Sequence, residues 1–398
     1  MHPKISESLT QIAYMAGLYI HIPFCASRCI YCGFYSTTLM ELRDRYVDAL
    51  CQEMTLRQEA LVQQGLPLPS LDTIYIGGGT PSQLSPQHLK KLFDHINKVF
   101  SINKLFSNNA TEVTIEMNPD DVTEEYAHAL SQLPVNRVSM GAQTFDDTRL
   151  RFLNRRHNAQ QVPQAVKTLR EAGISNISID LMYGFPGETL DNWQDDITKA
   201  LDLGVEHLSA YCLMIEEGTV LYEKMRNGEN KEMRECDEEL ERQMYYTLTE
   251  RLKAASFEHY EISNFALPGH RSHHNSSYWT DVPYIGLGAA AHSYDGRSRC
   301  WNVADIRQYI NGIENGSPVI EQEWLDDDSR YNDRVMLSLR TCEGIDLSLL
   351  SPQDTSYLLP LANKYLEQGL LTRSDNHLRL TRQGLFVSDM VISDLMRV

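Results

Sequence analysis

Long apolar runs and an excess of basic residues are both absent from this chain of 398 residues. No stretch approaches the roughly 20 apolar residues that a membrane-spanning helix needs. Residues 1–16 mix Lys4, Glu7 and Gln11 with short apolar pieces, which is unlike the apolar core of a secretory signal peptide. The 36 Lys and Arg residues against 54 Asp and Glu residues leave a net charge of −18, which argues against a nucleic-acid partner.

Low-complexity segments are missing as well, and the only internal repetition is the alternation of strands and helices. With 42% hydrophobic and 23% charged residues, the composition is that of a globular protein with one large core and room for a smaller domain. A chain without an export signal and with free thiols is expected in a reducing compartment, so we expect a cytoplasmic location. Met15 lies just before the first predicted strand and is an alternative start residue.

Three of the 8 cysteines stand close together, in the segment from Tyr19 to Phe34. Cys25, Cys29 and Cys32 have the spacing C-x3-C-x2-C. Three thiolates on one short loop fill three corners of an iron–sulfur cube and leave its fourth iron open for another ligand. A structural zinc site would need a fourth Cys or His nearby, and a disulfide framework would need an oxidising compartment, so both alternatives are disfavoured.

The remaining cysteines are scattered and are interpreted as ordinary thiols of the protein interior. They are Cys51, Cys212, Cys236, Cys300 and Cys342.

Apolar runs of strand length alternate with amphipathic segments of helix length. Strands rich in Ile, Val, Leu and Tyr are predicted over 18–24, 73–76, 112–118, 137–143, 177–183 and 207–215. Helices are predicted over 87–100, 159–172, 190–203 and 237–255, the first three with Ser85, Asn158 and Thr189 as N-caps. Six strand–helix units indicate an α/β fold, either a partial barrel or a doubly wound open sheet.

The second half of the chain is less regular. A polar loop is predicted over 216–238, a further strand over 260–265, and helices with a small hairpin beyond 326. We therefore divide the chain into an extension, a core barrel, a segment that completes the barrel and contributes to a ligand site, and a C-terminal domain. These parts span 1–16, 17–225, 226–325 and 326–398.

Polar residues recur where the predicted strands end. The cysteine loop follows the first strand and Gly77–Pro81 the second, while Glu116, Gln143 and Asp180 lie at the next three. Each alone has a simple structural explanation, such as a tight turn for the glycines or a hydrogen-bonded carboxylate for Glu116. Because the carboxyl ends of parallel strands share one rim, the series predicts a ligand site there. The glycines are not a nucleotide P-loop, since the Gly-Lys-Ser/Thr sequence is missing.

The segment from Tyr19 to Phe34 resembles the cluster loop of the radical S-adenosylmethionine (SAM) superfamily. The residues on either side of the cysteines resemble the subgroup that contains oxygen-independent coproporphyrinogen dehydrogenases and heme chaperones. The resemblance implies a partial (β/α)6 TIM-like barrel, a small α+β winged-helix-like C-terminal domain, and a [4Fe-4S] cluster held by the three cysteines. It also implies that SAM binds the open iron and is cleaved by one electron to a 5′-deoxyadenosyl radical. A winged helix suggests DNA binding, but this one lacks a basic recognition helix.

The same resemblance assigns roles to the residues at the rim. Gly79 and Thr80 match the loop that contacts the SAM amino group. Glu116, Gln143 and Asp180 are expected to accept or donate hydrogen bonds at the ribose hydroxyls or the ammonium group.

Three further residues complete the SAM site implied by the resemblance. Arg155 has the planar fork that pairs with a carboxylate, although it could also cap the helix that follows it. Tyr31 lies between two cysteines, where relatives place an aromatic ring beside adenine. Tyr19 is expected to donate a hydrogen bond near the cluster, although a core tyrosine is a simpler interpretation.

Two departures separate the chain from the coproporphyrinogen enzymes. These carry a fourth cysteine two residues after the third, where this chain has Phe34, and a longer segment before the residue that corresponds to Tyr19. Both departures favour the heme chaperones. In the subgroup's His-Asn-x-x-Tyr-Trp pattern, His274 is the candidate heme ligand, with His292 as a weaker one and a polar loop as the alternative.

The expected function is therefore that of a heme chaperone with a SAM-associated cluster, which delivers heme to an acceptor such as a respiratory enzyme. The alternatives are an oxygen-independent coproporphyrinogen III dehydrogenase or a radical SAM enzyme with another substrate. The expected partners are heme, the heme acceptor and an electron donor, without nucleic acid or a membrane span.

Overall fold

The computed structural model describes residues 16–65, 70–100, 111–227 and 236–397, and a sheet of twelve strands lies at its centre. Its first six strands are parallel and neighbour one another in chain order. They are β1 (Ala16–Ile22), β2 (Leu71–Gly78), β3 (Glu112–Met117), β4 (Arg137–Gln143), β5 (Asn176–Tyr183) and β6 (His207–Cys212). In a barrel each new parallel strand is added on the same side of the previous one, whereas in a doubly wound sheet the strand order reverses once. The order observed here therefore excludes the doubly wound sheet.

Shorter strands extend the sheet at both ends. At one end β9 pairs with β1 in parallel, and three antiparallel strands follow; at the other end two antiparallel strands follow β6. They are β7 (Glu258–Glu261), β8 (Asn264–Ala266), β9 (Tyr284–Leu287), β10 (His292–Tyr294), β11 (Ser298–Asn302) and β12 (Ile320–Trp324). Strands β12 and β7 form two separate edges, so the sheet stays open and the predicted partial barrel is confirmed.

Helices lie between the strands along the chain, and the one that begins at His273 contributes residues to the inside of the barrel. They are α1 (Arg43–Gln63), α2 (Pro86–Phe100), α3 (Glu124–Ser131), α4 (Asp147–Phe152), α5 (Gln161–Glu171), α6 (Leu190–Asp202), α7 (Val220–Arg226), α8 (Glu238–Ala254), α9 (His273–Trp279) and α10 (Ile306–Glu314). The predicted cap of α6 is confirmed: Thr189 and Asn192 form a reciprocal capping box, which satisfies two backbone donors at the helix start.

Three local predictions are wrong. Asn158 does not cap α5, because the helix begins later; its side chain accepts hydrogen bonds from the N–H groups of Gln160 and Gln161 and so closes the preceding turn. The predicted loop 216–238 contains α7, which is nucleated where Thr219 accepts a hydrogen bond from the N–H of Tyr222. The 260–265 prediction spans a hairpin of two short strands rather than one strand.

The C-terminal part has its own buried core, centred on Val335, Leu339, Leu358 and Leu378. It contains α11 (Asp327–Leu339), β13 (Ile345–Asp346), α12 (Pro352–Glu367), β14 (Leu371–Ser374), β15 (His377–Leu380), α13 (Arg382–Phe386) and α14 (Ser388–Leu395). The small sheet has the order β13-β15-β14, which confirms the expected helices and hairpin. The four-part division of the chain stays a prediction, and Met15 lies outside the described residues.

Candidate functional site

Alternation along the parallel strands decides which side chains face the inside of the barrel. In β1, Leu18 and Ile20 are fully buried in the apolar core, so the residue between them, Tyr19, points to the other face. The same alternation turns Glu116 of β3 and Asp180 of β5 inward, since the apolar neighbours of each are buried. These inward side chains surround a cavity of about 730 Å³.

All the residues that the sequence predicts for the cluster and for SAM, together with His274, line this one cavity. They are Tyr19, Cys25, Cys29, Tyr31, Cys32, Gly79, Thr80, Glu116, Gln143, Arg155, Asp180 and His274. The weaker candidate His292 is not among the lining residues; it is exposed and stacks on Trp301 with ring centroids 5.4 Å apart.

The cysteine loop is fixed by hydrogen bonds to segments far along the chain. The N–H of Ile30 donates to the carbonyl of Leu153 at 3.2 Å, and the carbonyl of Ile30 accepts from the N–H of Leu221 at 2.8 Å. The amide of Asn154 donates to the carbonyl of Arg28 at 2.8 Å. The buried side chain of Ile30 packs with Leu153 and Leu221 in a small apolar cluster, so the loop between the cysteines has a defined shape.

The three thiols have different surroundings. Cys25 lies 3.5 Å from the hydroxyl of Thr80, and Cys29 accepts a hydrogen bond from Nη1 of Arg155 at 3.5 Å. Burial raises the pKa of Cys25 and of Cys32 above the ordinary thiol value. In the described ranges, no three His, Cys, Asp or Glu side chains are placed to hold a single metal ion.

The glycine loop after β2 approaches the cysteine loop closely. The N–H of Gly79 donates to the carbonyl of Ile22 at 2.9 Å. A Cβ atom at Gly79 would lie 2.8 Å from the carbonyl group of Pro23 and 3.0 Å from the sulfur of Cys25. Only glycine fits such an approach, so this position brings the second loop of the rim against the cysteines.

Arg155 reaches the cavity wall across strand β4. Its Nη2 donates to the carbonyl of Gly141 at 2.6 Å and to Oδ1 of Asn118 at 2.7 Å. A Cβ atom at Gly141 would lie 3.3 Å from this Nη2, so the glycine makes room for the guanidinium. The Nε of Arg155 is buried without a hydrogen-bond partner among the described residues. The fork therefore keeps one donor for a ligand.

Strand β4 is irregular beside Arg155. Its pairing with β5 shifts register between Gly141 and Gln143, and Gln143 has a φ of 67°. Such a left-handed conformation costs a non-glycine residue on the order of 1 kcal/mol or more. A β-bulge re-aims side chains at the end of a strand, and here it places the buried Gln143 on the cavity wall.

The floor of the cavity carries three charged groups. Glu116 accepts from the hydroxyl of Tyr75 at 2.8 Å and from the N–H of Gly78 at 2.9 Å, and burial raises its pKa to about 7. Asp180 accepts from the hydroxyl of Ser139 at 3.4 Å, and burial raises its pKa to about 6. Arg137 stands near both carboxylates and opposes these two shifts.

Arg137 is a site residue that sequence reasoning misses. It is only 1% exposed, and both its Nε and its Nη1 lack partners in the part of the chain that the structure describes. The available signal is an arginine at the start of a predicted buried strand, where a lone charge is costly.

Aromatic side chains form the opposite wall of the cavity. The rings of Tyr19 and Tyr75 stack with centroids 6.2 Å apart, and those of Tyr75 and His274 stack at 5.0 Å. The hydroxyl of Tyr19 lies 3.0 Å from Nδ1 of His21. Tyr31 approaches the cavity from the cysteine loop, and burial raises its pKa above the ordinary value. All these groups are neutral near pH 7, so this wall offers ring faces rather than charge.

His274 is fully buried and both of its ring nitrogens are engaged. Nδ1 lies 2.8 Å from the hydroxyl of Thr73, and Nε2 lies 2.8 Å from the hydroxyl of Tyr278. Burial lowers the pKa of His274 to about 3, so the ring is neutral. A ring nitrogen could bind heme iron only after one of these hydrogen bonds is broken.

The fold and the matching family profiles define the class of this protein. The radical SAM superfamily matches residues 19–200 and the HemN C-terminal domain matches residues 325–387. Among solved structures, coproporphyrinogen III oxidase (HemN) from Escherichia coli, a radical SAM enzyme, matches with a TM-score of 0.80 and 20% identity over 98% of this chain and 92% of that chain. At 20% sequence identity, this match establishes the fold of the chain but not its function.

Relatives with higher sequence identity show which family of the superfamily the chain belongs to. The heme chaperone HemW of Bacillus subtilis is 37% identical over 95% of this chain and 98% of its own length. The heme chaperone HemW of Mycobacterium tuberculosis is 32% identical over 96% of this chain and 94% of its own. The chain therefore belongs to the HemW family of radical SAM proteins, a membership that implies a [4Fe-4S] cluster and SAM. Across the described residues, every helix is too short or too polar to span a bilayer.

Proposed function

We propose that the protein is a heme chaperone, which binds heme, carries a [4Fe-4S] cluster with exchangeable SAM, and transfers heme to an acceptor protein. The observation that carries the proposal is its likeness to proteins named heme chaperone HemW over nearly its whole length. Phe34, at the position of the fourth cysteine of the coproporphyrinogen enzymes, supports the same branch. An oxygen-independent coproporphyrinogen III dehydrogenase is the alternative, and the HemN structure supports it only through the shared fold.

The cluster would be held by Cys25, Cys29 and Cys32. Two features support this assignment: the loop that carries the thiols is hydrogen-bonded into shape, and Arg155 donates to the sulfur of Cys29. A cationic donor on a ligating sulfur compensates its charge and orients it. When bound, the cluster and SAM supply one-electron cleavage to a 5′-deoxyadenosyl radical.

SAM would be held by groups of this chain on three sides. The free donor of Arg155 suits its carboxylate, and the backbone near Gly79 with the hydroxyl of Thr80 suits its amino group. Glu116 and Asp180 can accept hydrogen bonds from the ammonium group or the ribose hydroxyls. The remaining contacts would come from Gln143 on the strand bulge and from the rings of Tyr31 and Tyr19.

His274 stays the candidate heme ligand of the sequence analysis. Its position on the cavity wall supports a role in the site, whereas its two hydrogen bonds oppose direct ligation of iron. A His274→Ala protein with an unchanged heme absorption band and unchanged heme affinity would rule the residue out as a ligand.

One anaerobic experiment tests the proposal against the alternative. The cluster is reconstituted with an electron donor, and heme binding and coproporphyrinogen consumption are measured on the same sample. We expect tight heme binding without turnover, and heme transfer when an acceptor apoprotein such as a respiratory enzyme is added. Stoichiometric formation of the decarboxylated porphyrinogen would contradict the chaperone proposal.

A further inference from the structure

Two large apolar side chains are exposed at the mouth of the cavity. Phe34 is 71% exposed and Met214 is 68% exposed, and both line the cavity. Scattered single apolar residues are normal on a surface, but large ones gathered at one opening mark a ligand or partner site. We call Phe34 and Met214 the apolar mouth.

The apolar mouth is built from two chain segments that touch. One follows the cysteines and the other follows β6. A Cβ atom at Gly33 would lie 2.7 Å from Oε2 of Glu216, so the two segments are in van der Waals contact beside Phe34 and Met214. The hydrogen bond from the N–H of Leu221 to the carbonyl of Ile30 fixes their separation. The mouth is therefore a preformed surface rather than two independent loops.

The charges around the mouth are unequal. Arg28 lines the cavity, and its guanidinium forms no ion pair or hydrogen bond with another described residue. Glu216 places a carboxylate by the segment contact at Gly33. A ligand that complements this surface has a broad apolar face and carries its negative groups at one edge, where Arg28 can pair with them and Glu216 does not repel them.

Heme has this distribution of groups, because its ring is flat and apolar and its two propionates share one edge. We propose that heme docks at the apolar mouth, with its face on Phe34 and Met214 and its propionates towards Arg28. This inference rests on the proposed heme-chaperone function and gives it a location. Docking at the mouth leaves the hydrogen bonds of His274 intact and the deeper residues free for SAM.

The test compares heme affinity among full-length, cluster-reconstituted proteins. The variants are Phe34→Ser, Met214→Gln, their double substitution, Arg28→Gln and Arg28→Lys. We expect the double variant to bind heme at least about tenfold more weakly, because it loses two apolar contacts with the ring. Arg28→Gln should weaken binding less and Arg28→Lys least, since lysine keeps the charge. SAM affinity, measured in parallel, should stay unchanged.

Matched controls are available elsewhere on the surface. Trp324 is as exposed as Phe34 at 71%, and Met390 is 50% exposed, and neither lines the cavity. Trp324→Ser and Met390→Gln should therefore leave heme affinity unchanged. If the mouth variants bind heme like the unmodified protein, or lose only transfer to an acceptor, heme does not dock at the mouth and the inference is overturned. An unmodified protein that binds no heme would instead refute the proposed function.

Discussion

The two walls of the cavity differ in how completely their polar groups are paired. On the cysteine side, the Nε of Arg155 has no partner among the described residues, and a bulge holds Gln143 in a costly conformation. On the aromatic side, both nitrogens of His274 and the hydroxyl of Tyr19 are hydrogen-bonded. Unpaired buried donors and strained backbone persist where a ligand compensates them. The comparison therefore supports the proposal that the polar groups of a ligand bind on the cysteine side, while the aromatic side offers ring faces.

The largest effect is expected from the cysteines. Cys29→Ser should abolish the cluster, because three thiolates already leave one iron without a protein ligand. Iron content, acid-labile sulfide and the visible absorption of the reconstituted protein measure the loss. Cys342→Ser is the control, since Cys342 is exposed and lies away from the cavity. A cluster of normal stoichiometry in the Cys29 variant would overturn the ligand assignment.

The next largest effect is expected for the substitution Arg155→Lys. Lysine keeps the charge but loses the planar fork, so SAM affinity should fall by about tenfold or more. Arg156→Lys is the neighbouring control, because Arg156 pairs instead with Asp120 and Asp121 and does not line the cavity. Equilibrium binding of SAM to the reconstituted proteins measures both. Equal affinities for the two variants would mean that the unpaired donor of Arg155 is not a ligand contact.

If the floor carboxylates bind SAM as proposed, the affinity for SAM should depend on pH. The pKa of Glu116 is raised to about 7, so its charged form, which attracts a cationic ligand, becomes populated as the pH rises through 7. SAM affinity should therefore increase between about pH 6 and pH 8. Glu116→Gln should flatten this profile and lower the affinity at the upper end. A variant that keeps the full pH dependence would exclude Glu116 as its source.

The aromatic wall should respond to acid in stability rather than in binding. The folded-state pKa of His274, about 3, lies below its ordinary value, so its contribution is complete above that value and is lost as the pH falls towards 3. At neutral pH, His274→Gln should cost about 1–3 kcal/mol of unfolding free energy, because Thr73 and Tyr278 lose good partners. Denaturant unfolding at pH 7.5 and 5.5 should also show a smaller acid effect in the variant. If the variant lost as much unfolding free energy between pH 7.5 and 5.5 as the unmodified protein, His274 would not be the source of the acid effect.

The smallest effect concerns the strand bulge. Gln143→Gly removes a side chain from a backbone with φ of 67°, so the ligand-free protein should gain on the order of 1 kcal/mol of stability. SAM affinity should fall at the same time, because the amide is lost from the wall. If the variant is stabilised but binds SAM with unchanged affinity, Gln143 does not contribute to SAM binding. Thermal unfolding and SAM binding are the two measurements.

The sequence predicts the fold and the cavity-lining residues well because both follow from strand alternation and strand ends. Leu18 and Ile20 identify a buried face, and the polar residue that ends or interrupts such a run must point elsewhere. What the sequence cannot supply is pairing between distant segments. Arg137 looks like the first residue of an ordinary strand, and Thr73 of β2, which pairs with His274, is 201 positions away along the chain. The helix α7 is missed because charged residues hide its single buried side chain, Leu221.

The anchors of the cysteine loop have a consequence for how the protein is made. Ile30 receives its backbone partners from Leu153 and Leu221, which leave the ribosome long after the cysteines do. Until those segments are synthesised and packed, Cys25, Cys29 and Cys32 lie on a loop without its final shape. Cluster insertion by the maturation machinery should therefore follow translation of the whole parallel sheet, and nascent chains that stop before α7 should not retain iron.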